Sequence, residues 1–309
     1  MADRHQAPVA AIDCGTNSTR LLVVGASGEP LARLMRVTRL GKGVDATHKL
    51  DVDAIERTVA VLREFRATMD GLGAGRVRMV ATSAVRDAVN GREFLDAAAE
   101  AVGVPAELLS GEEEGALAYA GATAELPPTS GGVVVDIGGG STELITEEGG
   151  RVRVASMDLG CVRLTERYLH HDPPVGDELA AAVGAVDAEL ERAVAAVPAL
   201  AEAAGRPLVG LAGTVSTLSA LEQGVVAYDR EQLHHSVLTA DAVRRWCDEL
   251  AGEPSSARAR RVGMVPGRED VIVGGVLVLR EVMARLAADE CLVSEADILD
   301  GLAASVADL

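Results

Sequence analysis

Short apolar runs and helically spaced apolar positions alternate along the chain, and the order of elements they predict occurs twice. Residues 9–40 read as strands, broken by a turn near Gly28-Glu29-Pro30. Residues 53–70 place Ile55, Val59, Leu62, Phe65 and Met69 on one helical face. RVRMVATSA follows as a strand ending in a polar turn, 91–102 as a helix, AELL as a short strand and SGEEEGALAYAGATA as a helix. LPPTSGG, residues 126–132, is the clearest linker. Strands then return over 133–157, with helices over 160–168 and 176–196 and a strand at PLVGLA. A turn at Gly213-Thr214 leads into the helix VSTLSALE. Helices near 239–251 and 270–287, a short strand at 290–293 and a helix from Glu295 to Ala307 complete the pattern. Each half begins with antiparallel strands and continues with alternating helix and strand, which predicts mixed α/β sheets.

The opening strands of the two halves also match residue by residue. VAAIDCGTNSTRLLV, residues 9–23, and VVVDIGGGSTELI, residues 133–145, align without a gap at a constant offset of 123 positions. Asp13 falls on Asp136, Gly15 on Gly138, Ser18 on Ser141 and Thr19 on Thr142. Each copy is an apolar strand, a tight turn reading Asp-x-Gly-x-x-Ser-Thr, and a second strand, which is a β-hairpin whose turn carries function. Two distant copies imply two similar domains rather than a solenoid.

With 309 residues the chain has room for two cores. Aromatic residues are only 2% of it, so those cores must be built from Val, Leu, Ile and Ala. The net charge of −18 argues against broad nucleic-acid binding, which needs a basic footprint. No apolar run is long enough for a membrane helix, VIVGGVLVL being stopped by Arg280, and MADRHQAP has no signal-peptide core. Cys14, Cys161, Cys247 and Cys291 are scattered without a C-x-x-C pair, read as core thiols, and fit a reducing, cytoplasmic setting. Lys42 and Lys49 are the only lysines and neither follows a P-loop pattern. The Rossmann fingerprint fails at Glu143, and there is no G-x-S-x-G elbow.

Two domains that each present such a hairpin resemble the superfamily of actin, sugar kinases and Hsp70. More narrowly, IDCGTNSTRLL, ATSAVRDAVNG, LSGEEEGALAYAGA, VVDIGGGSTEL, DLGCVRLTE and PGREDVIVGG together resemble the exopolyphosphatase / guanosine pentaphosphate phosphohydrolase (Ppx/GppA) family in its short, two-domain form. The resemblance implies an α/β fold of two actin-like (ribonuclease H-like) domains with mixed sheets flanking a cleft. The expected domains are 1–125 and 126–309, the final helix from about 295 packing back on the first.

The residues themselves suit phosphate. Glycine-bearing turns point backbone N–H groups at one spot, so Gly138, Gly139 and Gly140 are a candidate cradle. Asn17, Ser18, Thr19, Ser141 and Thr142 add side-chain donors, and the turn at Gly213 and Thr214 is counted with them. Arg20, Arg86 and Arg268 are candidate guanidinium partners. Asp136 and Glu143, with help from Asp13, offer the oxygen ligands Mg²⁺ or Mn²⁺ takes beside phosphate, and both acids are expected to line solvent. Arg258, Arg260, Arg261 and Arg268 form a locally basic run that could guide a polyanion. His234 and His235 read as loop surface, since adjacent side chains normally point apart.

In the acidic triplet, Ser110 and Glu113 have the spacing of a capping box, and Glu112 reads as solvated surface. The resemblance assigns Glu114, the acid before Gly115, as the catalytic base that activates water. It implies a metal-dependent hydrolase of terminal phosphate from inorganic polyphosphate, with guanosine pentaphosphate as the alternative substrate. Monomer and homodimer stay open. A kinase of the same superfold and a non-catalytic polyphosphate or alarmone sensor are the competing classes; Glu114, as a base for water, argues against the kinase, and Glu114, Asp136 and Glu143 together argue against the sensor.

Overall fold

The computed structural model describes residues 7–126 and 132–307, so most of the linker LPPTSGG lies outside the described residues. The chain divides into two compact units, one running to Gly121 and resuming at Ile298, the other Ala122–Asp297.

The first unit holds β1 (Val9–Cys14), β2 (Ser18–Val24), β3 (Pro30–Val37), α1 (Val44–Thr47), α2 (Val52–Leu72), β4 (Arg76–Ala81), α3 (Ser83–Arg86), α4 (Gly91–Val102), β5 (Ala106–Leu108) and most of α5 (Gly111–Thr123). Its sheet has the order β3-β2-β1-β4-β5, antiparallel from β1 to β3 and parallel from β1 to β5. Helix α2 shows why these elements form. The Asp51 side chain accepts from Ala54 N at 3.1 Å, Gly73 ends the helix at φ 71°, and Leu62, Phe65 and Met69 enter the core.

The second unit holds β6 (Val133–Ile137), β7 (Thr142–Glu148), β8 (Arg151–Met157), α6 (Cys161–Tyr168), α7 (Gly176–Ala196), α8 (Ala199–Glu202), β9 (Leu208–Leu211), α9 (Ala212–Gln223), α10 (Arg230–Leu233), β10 (Val237–Thr239), α11 (Ala240–Ala251), α12 (Ser255–Arg258), α13 (Ile272–Arg285) and β11 (Glu290–Val293). The last helix, α14 (Ile298–Ala307), packs on β1, β2 and β4 of the first unit. The second sheet has the order β10-β11-β9-β6-β7-β8, with β6, β9 and β11 parallel and the β6–β7–β8 meander antiparallel. The apolar run IVGGVLVL belongs to α13, which is buried from Ile272 to Leu279 and packs against α6, α7, α9 and α11. Among the described residues, no helix is long and apolar enough to cross a membrane.

Two boundaries differ from the sequence expectation. Gly213 and Thr214 lie in the first turn of α9 rather than in a turn before it, because Ala212 already makes the strand-to-helix corner at φ 64°. Helix α14 starts at Ile298, not Glu295, because the Ser294 hydroxyl bonds the Ala296 backbone and holds 294–297 in a local turn. The four-residue helices and β10 were not foreseen, being too short to show a period.

Gly301 sets the approach of α14 to α5. A Cβ there would collide with the carbonyl oxygen of Leu117, and backbone cannot swing aside as a side chain can. We expect Gly301→Ala to lower unfolding free energy by about 1–3 kcal/mol, the usual cost of overpacking, in a denaturant titration. An unchanged midpoint would show that the two helices separate freely.

Candidate active site

In open α/β sheets, ligands bind beyond the carboxyl ends of parallel strands. In the first unit those ends are Cys14, Ala81 and Leu108, and each is followed by candidate residues: the turn 15–17, α3 with Arg86, and Ser110–Glu114. The edge is tied together by Thr82 N to Cys14 O (3.4 Å) and Leu109 N to Ala81 O (3.0 Å).

The first hairpin turn closes through Gly15 N to Ser18 O at 3.0 Å. Asn17 is buried, and its carbonyl accepts from Thr38 N and Arg39 N, while its side-chain Nδ2 has no hydrogen-bond partner. Ser18 is half-buried at the start of β2. Thr19, expected as a phosphate donor, is fully buried and its hydroxyl bonds Thr38 Oγ1 at 2.9 Å. That hydroxyl serves the core, because it points to the inner face of β2. Asp13 and Arg20 face each other across the hairpin, and both Nε (3.0 Å) and Nη2 (2.7 Å) donate to Asp13 Oδ2. Asp13 was expected to assist a metal and Arg20 to bind phosphate; the structure joins them in an internal ion pair instead.

Arg86 donates to the Leu109 carbonyl at 2.7 Å and lies 3.6 Å from Glu114. Next to them the capping box is complete. Ser110 N and Oγ both donate to Glu113 Oε2 at 2.9 Å, and Glu113 N donates to Ser110 Oγ at 3.2 Å. The Ser110 backbone N–H, then its hydroxyl, holds the Glu113 carboxyl below its ordinary pKa. Glu114 takes no part in that cap, and its side chain is only 14% exposed.

In the second unit the parallel strands β6, β9 and β11 end at Ile137, Leu211 and Val293. The hairpin turn repeats the first, with Gly138 N to Ser141 O at 3.0 Å. Its carbonyls are fixed by the start of α6: Cys161 N donates to Gly138 O, and Val162 N and Arg163 N donate to Gly139 O. This leaves the turn's remaining polar groups oriented without help from a ligand. The close fit needs Gly160, where a Cβ would lie 2.6 Å from Gly139 O. Gly140, Ser141 and Thr142 are buried, and Thr142 Oγ1 has no hydrogen-bond partner among the described residues.

Asp136 and Glu143 stand directly opposite each other on β6 and β7. The expectation that both line solvent was wrong: they are 8% and 1% exposed, and Ser156 Oγ donates to Glu143 Oε1 at 2.8 Å. Like charges paired across strands repel, and burial strengthens the repulsion. The first hairpin puts Arg20 at the position equivalent to Glu143, so Asp13 meets a cation where Asp136 meets an anion. This carboxylate pair fits a hard divalent cation with oxygen ligands.

At the start of α9, the Arg268 guanidinium lies over Gly213, in space that a Cβ would occupy. Thr214, expected beside phosphate, is instead 2% exposed and packed against Gly275. Its burial follows from α13 crossing there at Gly274-Gly275. All four cysteines are buried and unbridged. Burial pushes the Cys161 thiol up despite the charge of Arg268, and pushes Cys291 up to about 12.

Two surface expectations change. Arg258 is buried on Asp172 at 2.5 Å and Arg261 pairs with Glu253 and Glu249, so acids take up two of the four arginines of the basic run. His234 and His235 stack with ring centroids 3.7 Å apart rather than pointing apart. The cause is the left-handed backbone of His235, φ 64°, in a turn closed by Ser236 N to Leu233 O.

Glu295 went unnoticed in the sequence. It follows the third parallel strand, is 9% exposed, and accepts from Ser216 Oγ (2.5 Å) and Tyr228 Oη (2.6 Å). A signal existed: LVSE after β11 parallels LLSGE after β5, so Ser294 corresponds to Ser110. Ser83 was passed over within ATSAVRD.

Known proteins match nearly the full length of the chain. The model of the Ppx/GppA phosphatase family matches residues 22–308. Exopolyphosphatase 2 of Mycobacterium tuberculosis is 45% identical, the match covering 97% of this chain and 98% of that protein. The crystal structure of an exopolyphosphatase-like protein superposes with a TM-score of 0.92 at 35% identity, covering 97% of this chain and 99% of that one. The Aquifex aeolicus Ppx/GppA enzyme does so with a TM-score of 0.79 at 34% identity, with the same coverage.

The Asp13–Arg20 pair yields a stability test. Removing one partner of a buried pair leaves an uncompensated charge, at a cost of about 3–5 kcal/mol. Since Arg20 is 19% exposed, Arg20→Ala should fall at the lower end, read by thermal melting. A melting temperature equal to the parent's would mean the pair contributes nothing to the fold.

Proposed function

Because the chain belongs to the Ppx/GppA phosphatase family, we propose that it is an exopolyphosphatase, releasing terminal phosphate from inorganic polyphosphate. The observation that carries the catalytic assignment is Glu114 beside Arg86 at the carboxyl edge of the first sheet, outside the capping box that accounts for Glu113. Polyphosphate hydrolysis asks for positioning, charge neutralisation and a group that takes a proton from water. Glu114 is assigned that last task. Water attacks the terminal phosphorus, its proton passes to the carboxylate, and the phosphorus–bridging-oxygen bond breaks. The shortened chain departs with the electron pair of that bond.

Arg86 holds a phosphoryl oxygen, and Arg268 over Gly213 does the same in the second unit. The backbone of Gly138–Gly140, with Ser141 and Thr142, cradles further oxygens in the second unit, and Ser18 offers a hydroxyl in the first. Asp136 and Glu143 would hold a divalent cation such as Mg²⁺ or Mn²⁺, which when bound supplies further neutralisation of phosphate charge. Guanosine pentaphosphate is the alternative substrate, and homodimerisation is a separate expectation read by light scattering. Incubating the purified protein with polyphosphate, guanosine pentaphosphate and ATP in turn, and measuring phosphate release, ranks the substrates. Binding of polyphosphate with no release from any of them would favour the sensor.

Glu114→Gln should lose at least about a hundredfold in kcat, the lower end for a general base, while melting within a few degrees of the parent. Glu113→Gln should lower the melting temperature slightly and keep turnover. Near-parental turnover in Glu114→Gln would remove the base assignment.

For the cation, the Glu143→Gln variant should melt higher than the parent without metal, because one of two opposed buried anions is gone. It should also lose most of the Mg²⁺-induced rise in melting temperature. A Mg²⁺ response equal to the parent's would place the cation elsewhere.

A further inference from the structure

Two polar atoms at the carboxyl edge of the first sheet share an unusual condition. Asn17 Nδ2 and Ser83 Oγ are both shielded from solvent, and neither has a hydrogen-bond partner among the described residues. The residues are 8% and 2% exposed. Leaving a buried polar group unsatisfied is unfavourable, and most native structures avoid it.

The fold brings the two donors into one neighbourhood. Thr82, just before Ser83, donates its N–H to Cys14 O at the end of β1. Gly41 is wedged between Thr16 and Ala84, the neighbours of Asn17 and Ser83, and a Cβ there would strike both side chains. The Gly41 N–H in turn donates to Thr16 O at 2.8 Å. Ser83 also opens the short helix that Arg86 closes, three residues on, so the two share a helical face. A buried hydroxyl on the helix that carries Arg86 and a buried amide in the turn after β1 thus flank Gly41, and no side chain or backbone group among the described residues partners either.

We propose that Ser83, with Asn17, binds a phosphoryl oxygen of the substrate on the Arg86 side of the site. Ser83 thereby becomes a substrate-binding residue, its hydroxyl donating to an anionic oxygen. The assignment rests on the phosphate-binding role given to this edge. A guest oxygen would satisfy donors that no described residue partners. Substrate entry must uncover the two atoms, so the unliganded protein carries the cost of leaving them unpartnered.

The test uses the full chain, with tripolyphosphate as the titrated probe and polyphosphate as the kinetic substrate. Hydrogen bonds to charged groups are worth enough that Ser83→Ala should weaken tripolyphosphate binding and raise KM roughly ten- to a hundredfold. Its melting temperature should stay the same or rise, since the deleted hydroxyl has no partner in the free protein. Asn17→Ala should weaken binding likewise, and the double variant should lose less than the two singles together, as expected when both donors hold one oxygen. A melting temperature several degrees lower for Ser83→Ala, or failure to fold, would reveal a structural partner and overturn the proposal. Unchanged binding in Ser83→Ala while Asn17→Ala and Arg86→Ala weaken it would remove Ser83 alone and leave the phosphate edge standing. No binding of tripolyphosphate by the parent protein would overturn the phosphate edge itself.

Discussion

A carboxylate taken out of water must meet a positive charge, and the two hairpins meet that requirement in different ways. Position 13 is answered from position 20 of the same hairpin, by an arginine that reaches across to it. Position 136 faces a second carboxylate at the equivalent place, position 143. One hairpin is therefore balanced within itself, and the other sets two carboxylates against each other. The repeat preserves the backbone frame, and a single exchange of arginine for glutamate gives its two copies opposite electrostatic characters.

The frame is held by backbone more than by side chains. Carbonyls of the second turn are bonded to the first N–H groups of α6, which satisfies that helix start while orienting the turn. Helix α6 is set in place by α13, which reaches it closely because Gly274 has no side chain, a Cβ there falling 2.8 Å from Cys161 O. In the first unit, Gly41 joins the turn after β1 to the segment after β4. Close contacts of this kind set the spacing of the segments that carry the turns.

Much of this was legible in the chain. The gapless match of residues 9–23 with 133–145 identified both hairpins and the turn residues, because a tight turn has strict local needs that show as Gly and Asp at fixed offsets. The capping box of Ser110 and Glu113 was legible for the same reason. Where expectation failed, the cause was a partner remote in sequence. Thr19 looked like a loop donor until Thr38 claimed its hydroxyl, and Thr214 until α13 covered it. The two histidines were misjudged because a left-handed residue other than glycine or asparagine is rarely legible from sequence.

Local chemistry, then, was determined by the sequence alone: which segments pair, where turns fall, which acid caps a helix, and that two like units exist. Those features depend on neighbours within a few residues. Which donors keep their hydrogen bonds at home and which are left open was decided only by tertiary structure. So was the burial of Glu143, the pairing of Arg20 with Asp13, the capture of Arg258 and Arg261 by acids, and the unanswered state of Ser83. Burial and charge compensation are properties of everything packed around a group, and no stretch of sequence contains its own surroundings.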